Sequence, residues 1–191
     1  MTFTVLALSG SLRAGSANTG LVRMAHRVCP PDLAIRHYTG IGDLPFYNAD
    51  LDTAATWPSP VVAWREAVQA ADALLLAAAE YNWGPSAVLK NAIDWVSRPP
   101  GQHLIQGKVI AVISVGGGGG GKRAQAHLDE VLGLLGNTMV TEPEMQLKKG
   151  AEYVFPDGSS AMPIIEITLA GRLAGMLSAL RSAAAGAPPS P

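Results

Sequence analysis

The chain is poor in cysteine, charge and long apolar runs, and each shortage removes a class of protein. Cys29 is the one cysteine in 191 residues. An intramolecular disulfide is therefore impossible, which suits a reducing compartment. Cys29 itself reads as a small apolar residue near a turn rather than a reactive thiol. His26, His37, His103 and His127 are scattered, and no pair of them, nor any of them with Cys29, has metal-ligand spacing. No metal is expected. Only 15% of residues are charged, the net charge is −1, and Lys and Arg do not cluster. That lacks the electrostatic footprint of a nucleic-acid binder. No apolar run reaches membrane-spanning length, and the first residues, MTFTVLALSG, lack a basic leader. A cytoplasmic protein with no membrane partner is expected.

Apolar residues, by contrast, make up 48% of the chain, enough for a real core. They fall into alternating patterns. Residues 3–8, 33–37, 73–77, 108–115 and 138–141 read as strands. Residues 19–28, 61–71, 87–96, 122–135 and 164–184 read as helices. The runs at 73–77 and 108–115 are apolar throughout, as in central strands covered on both faces. Strict β-α alternation predicts an α/β fold with a five-stranded parallel sheet, helices on both faces and order 2-1-3-4-5. One domain over residues 1–185 is expected, with residues 186–191 as a flexible tail. Ligands of such sheets bind outside the carboxyl ends of strands. The loops after strands one, three and four hold the most unusual residues, and all three should meet there.

The first of these loops follows the strand at 3–8 and reads GSLRAGSAN. Ser9, Ser11 and Ser16 offer hydroxyls, Asn18 an amide and Arg13 a planar fork suited to phosphate. Gly10 and Gly15 would let the backbone curl close to a ligand. The helix that follows offers unpaired N–H groups at its start. Two readings stand at this point: a site for a terminal phosphate, or a serine-rich turn that only caps a helix. The dinucleotide fingerprint, the P-loop and the nucleophile elbow are all missing from the chain.

Three stretches together resemble the NADPH-dependent FMN reductase family, of flavodoxin-like fold, which includes quinone, chromate and azo-dye reductases. GSLRAGSAN is similar to its phosphate loop, EYNWGPSAVLKNAIDWVSRP to its P-E-Y-N loop and following helix, and DLPFYNADLD to a segment after strand two. The glycine loop SVGGGGGGKRAQAHL is a looser match. The likeness spans residues 4–135. There are departures: Ala79 stands where the family has proline, Pro85, Ser86 and Ala87 replace a later Pro-Gly pattern, and the six-glycine run is plainer.

The resemblance implies FMN as cofactor and NADPH or NADH as co-substrate. It implies that Ser9, Ser11, Arg13, Ser16 and Asn18 hold the FMN phosphate. It places Glu80, Tyr81, Asn82, Trp83 and Gly84 at the flavin ring, with backbone amides of residues 81–84 toward its polar edge. Glu80 could instead be a charge at a subunit interface, and Trp83 an ordinary surface aromatic. Ser114, Gly116 and Gly117 would pass close to the flavin. Asp94 and Arg98, spaced i, i+4, could pair, and Trp95 reads as core or interface.

No side chain need act as acid, base or nucleophile, because the flavin carries the chemistry. A ping-pong cycle would end on a quinone, azo, nitro or metal-oxyanion acceptor. A homodimer or homotetramer is implied, with contacts from residues 44–52 and the helix starting at Ala87. The competing reading is a flavodoxin-type electron carrier without pyridine-nucleotide turnover, and the near-neutral charge disfavours it.

Overall fold

A computed structural model describes residues 2–98, 103–161 and 163–186. The main strands are β1 (Phe3–Ser9), β2 (Leu33–Tyr38), β3 (Ala73–Ala78), β6 (Val109–Gly116), β7 (Thr138–Met139) and β8 (Gln146–Lys148). Between them β4 (Glu80–Tyr81) and β5 (Gly84–Pro85) form a separate antiparallel hairpin. The helices are α1 (Ala17–Arg27), α2 (Ser59–Gln69), α3 (Ala87–Val96), α4 (Lys122–Leu134) and α5 (Pro163–Gly186). The sheet runs β2-β1-β3-β6-β7, every pair parallel. Counted along the chain without the hairpin, that is the expected order 2-1-3-4-5. The tail expected over 186–191 lies outside the described residues, except that Gly186 ends α5.

Alternation along the strands builds two cores. Val5 and Ala7 of β1, with Ala73, Leu75 and Ala77 of β3, face α1 and α5. Leu6, Leu8, Leu74 and Leu76 face α2, α3 and α4. All six residues of β3 are buried, which explains its unbroken apolar run. A Leu75→Ala change would cost about 2–5 kcal/mol, because a fully buried side chain would leave a cavity.

The fifth sheet position is split between two strands. β7 pairs with the start of β6 through Val109 and Ile110. β8 takes over at the other end, where Gln146, Leu147 and Lys148 pair with Ser114, Val115 and Gly116. The sheet therefore extends alongside β6 to the beginning of the glycine run.

The long segment between β2 and α2 is clamped to α3. Asn91 accepts from the Tyr47 N–H at 2.8 Å and donates to the Pro45 carbonyl at 2.9 Å. The Trp95 indole N–H also donates to Pro45, at 2.7 Å, and Trp95 is fully buried. Trp95 is thus a core residue. Phe46, between these clamped neighbours, is 79% exposed. The expected Asp94–Arg98 pair is not formed. Asp94 pairs with Lys90, one turn earlier on α3.

Candidate functional site

β1, β3 and β6 lie in register at their carboxyl ends. Ser9 pairs with Ala77, and Ala78 with Ser114. The three loops that follow therefore leave the sheet side by side. A cleft of about 210 Å³ opens between them. Its lining draws Ser11, Arg13, Ser16 and Asn18 from the first loop, Glu80 and Tyr81 from the second, and Gly116 and Gly117 from the third.

The first loop is built to start a helix and leave donors over. Ser16 is the N-cap of α1, its hydroxyl oxygen accepting from the Thr19 N–H at 3.3 Å. Ser9 Oγ accepts from the Thr19 hydroxyl at 2.9 Å and from the Ser11 N–H at 3.3 Å. Ser9 and Ser16 are thereby fixed in place, and Ser11 Oγ lies 3.5 Å from the Tyr81 hydroxyl. Arg13 is exposed and forms no ion pair among the described residues. Its guanidinium lies against Gly15, where a Cβ would come within 2.8 Å of Nη1. Gly15 therefore makes room for Arg13. Gly10 has a packing reason too: a Cβ there would meet Leu89 and the Ser86 hydroxyl at 3.0 Å. Both glycines thus have a packing reason of their own.

Asn18 ties the first loop to the third. Its amide donates to the Val115 carbonyl and accepts from the Val115 N–H, both at 3.0 Å. Both its oxygen and its nitrogen are engaged, which leaves one amide proton for a ligand.

The second loop is the β4–β5 hairpin. Its two turn residues, Asn82 and Trp83, have φ of 48° and 65°. Positive φ at both positions is the geometry of a tight turn between twisted strands. Asn adopts it readily, but for a bulky tryptophan it is strained. Trp83, at the tip of the turn, is 70% exposed. Glu80 takes a role that neither sequence reading weighed. Its carboxylate accepts from the Arg123 and Ala124 N–H groups at 2.9 and 3.0 Å, in the first turn of α4.

The six glycines divide into two groups. At Gly116 a Cβ would lie 2.7 Å from the Gly121 nitrogen, and at Gly121 2.6 Å from Ser114 Cβ. Gly120 and Gly121 also have φ of 66° and 84°. Those three positions need glycine for the loop to close. Gly117, Gly118 and Gly119 have nothing within 4 Å of a Cβ, so they border open space. Ser114 is fully buried, and its hydroxyl donates to the Gly120 carbonyl at 2.7 Å with Gln125 Oε1 at 3.1 Å. It braces the loop from behind, while Gly117 faces outward. The Lys149 N–H adds a further tie, donating to the Gly117 carbonyl at 2.8 Å. Gln125 and Lys149 were missed from sequence, for neither carries a motif. Thr19 could have been found, since it lies at the N-cap-plus-three position from Ser16.

The donor set fits a phosphate-bearing planar cofactor. One end of the cleft has a free guanidinium, a serine hydroxyl and the start of a helix. The other end has room beside glycine backbone, where side chains would have filled the space. Gly84, in the hairpin, does not line the cleft; a Cβ there would touch only the Tyr81 carbonyl, at 4.0 Å. Among the described residues no group of three His, Cys, Asp or Glu could hold a metal ion. No helix among them is long and apolar enough to cross a membrane.

Sheet order and converging loops define a flavodoxin-like protein whose ligand cleft lies at the carboxyl edge of the sheet. The chain belongs to the NADPH-dependent FMN reductase family, whose sequence profile matches residues 3–152. It is 43% identical over 147 residues to a probable NADPH:quinone oxidoreductase of Oryza sativa, covering 75% of this chain and 71% of that one. It is 42% identical over 144 residues to an NAD(P)H-dependent FMN reductase of Pseudomonas aeruginosa, covering 75% and 76%. A solved structure, the flavoenzyme NAD(P)H:(acceptor) oxidoreductase FerB from Paracoccus denitrificans, superposes with a TM-score of 0.83 at 34% identity, covering 94% of this chain and 98% of that one.

Proposed function

We propose that this protein is an FMN-dependent NAD(P)H oxidoreductase whose acceptor is a small molecule of the quinone class. One observation carries the reading: three loops, far apart in sequence, meet at one cleft with free anion donors at one end and side-chain-free backbone at the other. Quinone is favoured among the acceptors because relatives at 41–44% identity are named NADPH:quinone or NAD(P)H:quinone oxidoreductases.

FMN, when bound, supplies the two-electron chemistry that links the nicotinamide to the acceptor. The chain's own residues bind and orient. Arg13 and the hydroxyls of Ser11 and Ser16 hold the phosphate, with Ser9 and Asn18 fixing the loop that carries them. The backbone N–H groups of Asn82 and Trp83 would face the polar edge of the ring, where donors favour negative charge, whereas those of Tyr81 and Gly84 pair across the hairpin. Glu80 keeps that hairpin at its distance from the glycine loop. Gly116 and Gly117 line the ring through backbone alone, and Ser114 supports them. Trp83 and Tyr81 form the exposed rim over which nicotinamide and acceptor enter in turn.

One domain over residues 1–185 carries the activity in the cytoplasm, as a homodimer or homotetramer. The exposed Phe46, on its clamped loop, supports a subunit contact there. FMN titration followed by flavin fluorescence tests the site. Arg13→Ala is expected to weaken FMN binding by about 1.5–3 kcal/mol, the worth of a charge-assisted bond. Unchanged affinity would take the phosphate role from Arg13.

A further inference from the structure

A second cavity, of about 210 Å³, lies on the β2 side of the first loop. It shares only Ser11 and Arg13 with the first cleft. Beyond Arg13, its lining includes Arg23 of α1, His37 near the end of β2, and Thr39. No carboxylate lines it. Leu12 and Ile41 form an apolar wall. We propose that this cavity is a phosphate subsite that receives the 2′-phosphate end of NADPH. The inference rests on the oxidoreductase reading above and names what that reading leaves open, the choice between NADPH and NADH.

Three basic side chains converge on a space without a neutralising acid. Arg23 is held in place, because its Nη1 donates to the Pro156 carbonyl at 2.7 Å. That uses one edge of the guanidinium and leaves other donors of the fork for an anion. Burial, and then the nearby charges of Arg23 and His26, hold His37 below the ordinary histidine pKa. The cationic charge of the cavity is therefore that of Arg13 and Arg23, and the His37 imidazole adds a ring N–H that can donate to an anion between them. Asp43 is the acid felt nearby, and it acts on the Tyr38 hydroxyl.

Position selects the ligand. The cavity adjoins the first cleft through Ser11 and Arg13, which suits one end of a longer ligand, with the phosphate between the arginines and its nucleoside against Leu12 and Ile41. The rest of that ligand would cross the loop at Arg13 into the first cleft. NADPH and NADH differ by one phosphate monoester, so a cationic cavity beside the flavin cleft is where the two would be told apart. Free inorganic phosphate has the same chemistry and is the other possible source of the anion.

The test titrates the protein, with and without FMN, by calorimetry. The probes are adenosine 2′,5′-bisphosphate, 5′-AMP and inorganic phosphate. The bisphosphate is expected to bind at least about tenfold more tightly than 5′-AMP, and Arg23→Ala to abolish the difference. His37→Gln leaves the Arg23–Pro156 bond in place and should reduce the difference several-fold, which separates loss of the subsite from loss of the fold. Equal affinity for the two nucleotides overturns the proposal. So does a preference that survives both substitutions. Inorganic phosphate that binds while the nucleotides are not distinguished overturns it in favour of the free ion. FMN loading is read separately from the visible spectrum. Failure to load overturns the oxidoreductase reading, whereas equal nucleotide affinities on loaded protein overturn this inference alone.

Discussion

The Glu80 carboxylate caps a helix that starts 42 residues later in the chain: Oε2 accepts from the Arg123 N–H at 2.9 Å, and from that of Ala124 at 3.0 Å. The N-cap of α4 is Gly121, which has no side chain to do this itself. A glycine is required there by the positive φ and by Ser114. The cap is therefore supplied from another loop, and the aromatic hairpin is fixed relative to the glycine run. Glu80→Ala should lower stability by about 0.5–2 kcal/mol, the range for loss of a capping side chain. It should also weaken FMN binding, because the two sides of the ring site come apart. Glu80→Gln keeps an acceptor oxygen and should lose less of both. Urea denaturation and FMN titration of the two variants check this, and an Ala variant identical to the native protein in both would refute the cap's role.

The division of the six glycines predicts opposite outcomes within one run. Gly121→Ala should destabilise the protein by about 1–3 kcal/mol, from left-handed backbone strain together with the clash at Ser114. Gly117→Ala should change stability by no more than about 0.5 kcal/mol, since its Cβ enters open space. The same methyl group should nonetheless weaken FMN binding if that space belongs to the ring. Thermal melts of the flavin-free variants separate the two effects, and equal melting shifts would contradict the division.

Asp129, on α4, gives stability a pH dependence. Burial pushes its carboxyl pKa up to about 6, from an ordinary value of 3.8. Between about pH 4 and pH 6 the folded state holds this proton more tightly than the unfolded state. Stability from this group is therefore greatest at acid pH and falls as pH rises through that window. Asp129→Asn removes the penalty. The variant should match the native protein near pH 4 and exceed it by about 2 kcal/mol above pH 7. Denaturation curves of flavin-free protein at both pH values measure it. A variant less stable than native at pH 8 would show that Asp129 makes a favourable contact when ionised.

Much of this architecture was legible because it depends on local pattern. The apolar runs at 73–77 and 108–115 could only be central strands, and both are. Loops rich in Gly, Ser and Asn after those strands marked the edge where the cleft lies. What stayed hidden depends on contacts between distant residues. The Asn18–Val115 pair spans 97 positions, and the Glu80–Arg123 bond spans 43. β8 has three residues, too few for a period to register. The hairpin turn runs against propensity, since tryptophan disfavours the left-handed backbone that Trp83 adopts. Asp94 had cations at i−4 and at i+4, and spacing alone does not choose between Lys90 and Arg98.

The central claim is that this chain takes electrons from a pyridine nucleotide into bound FMN. An anaerobic mixing experiment tests it most directly. FMN-loaded protein is mixed with NADPH, and separately with NADH, while the flavin absorbance near 450 nm is followed, and a benzoquinone is then added. The account predicts that the flavin bleaches with at least one nucleotide and that its colour returns with the quinone. Flavin that binds but stays oxidised with both nucleotides would contradict it, and would leave the protein an FMN-binding electron carrier.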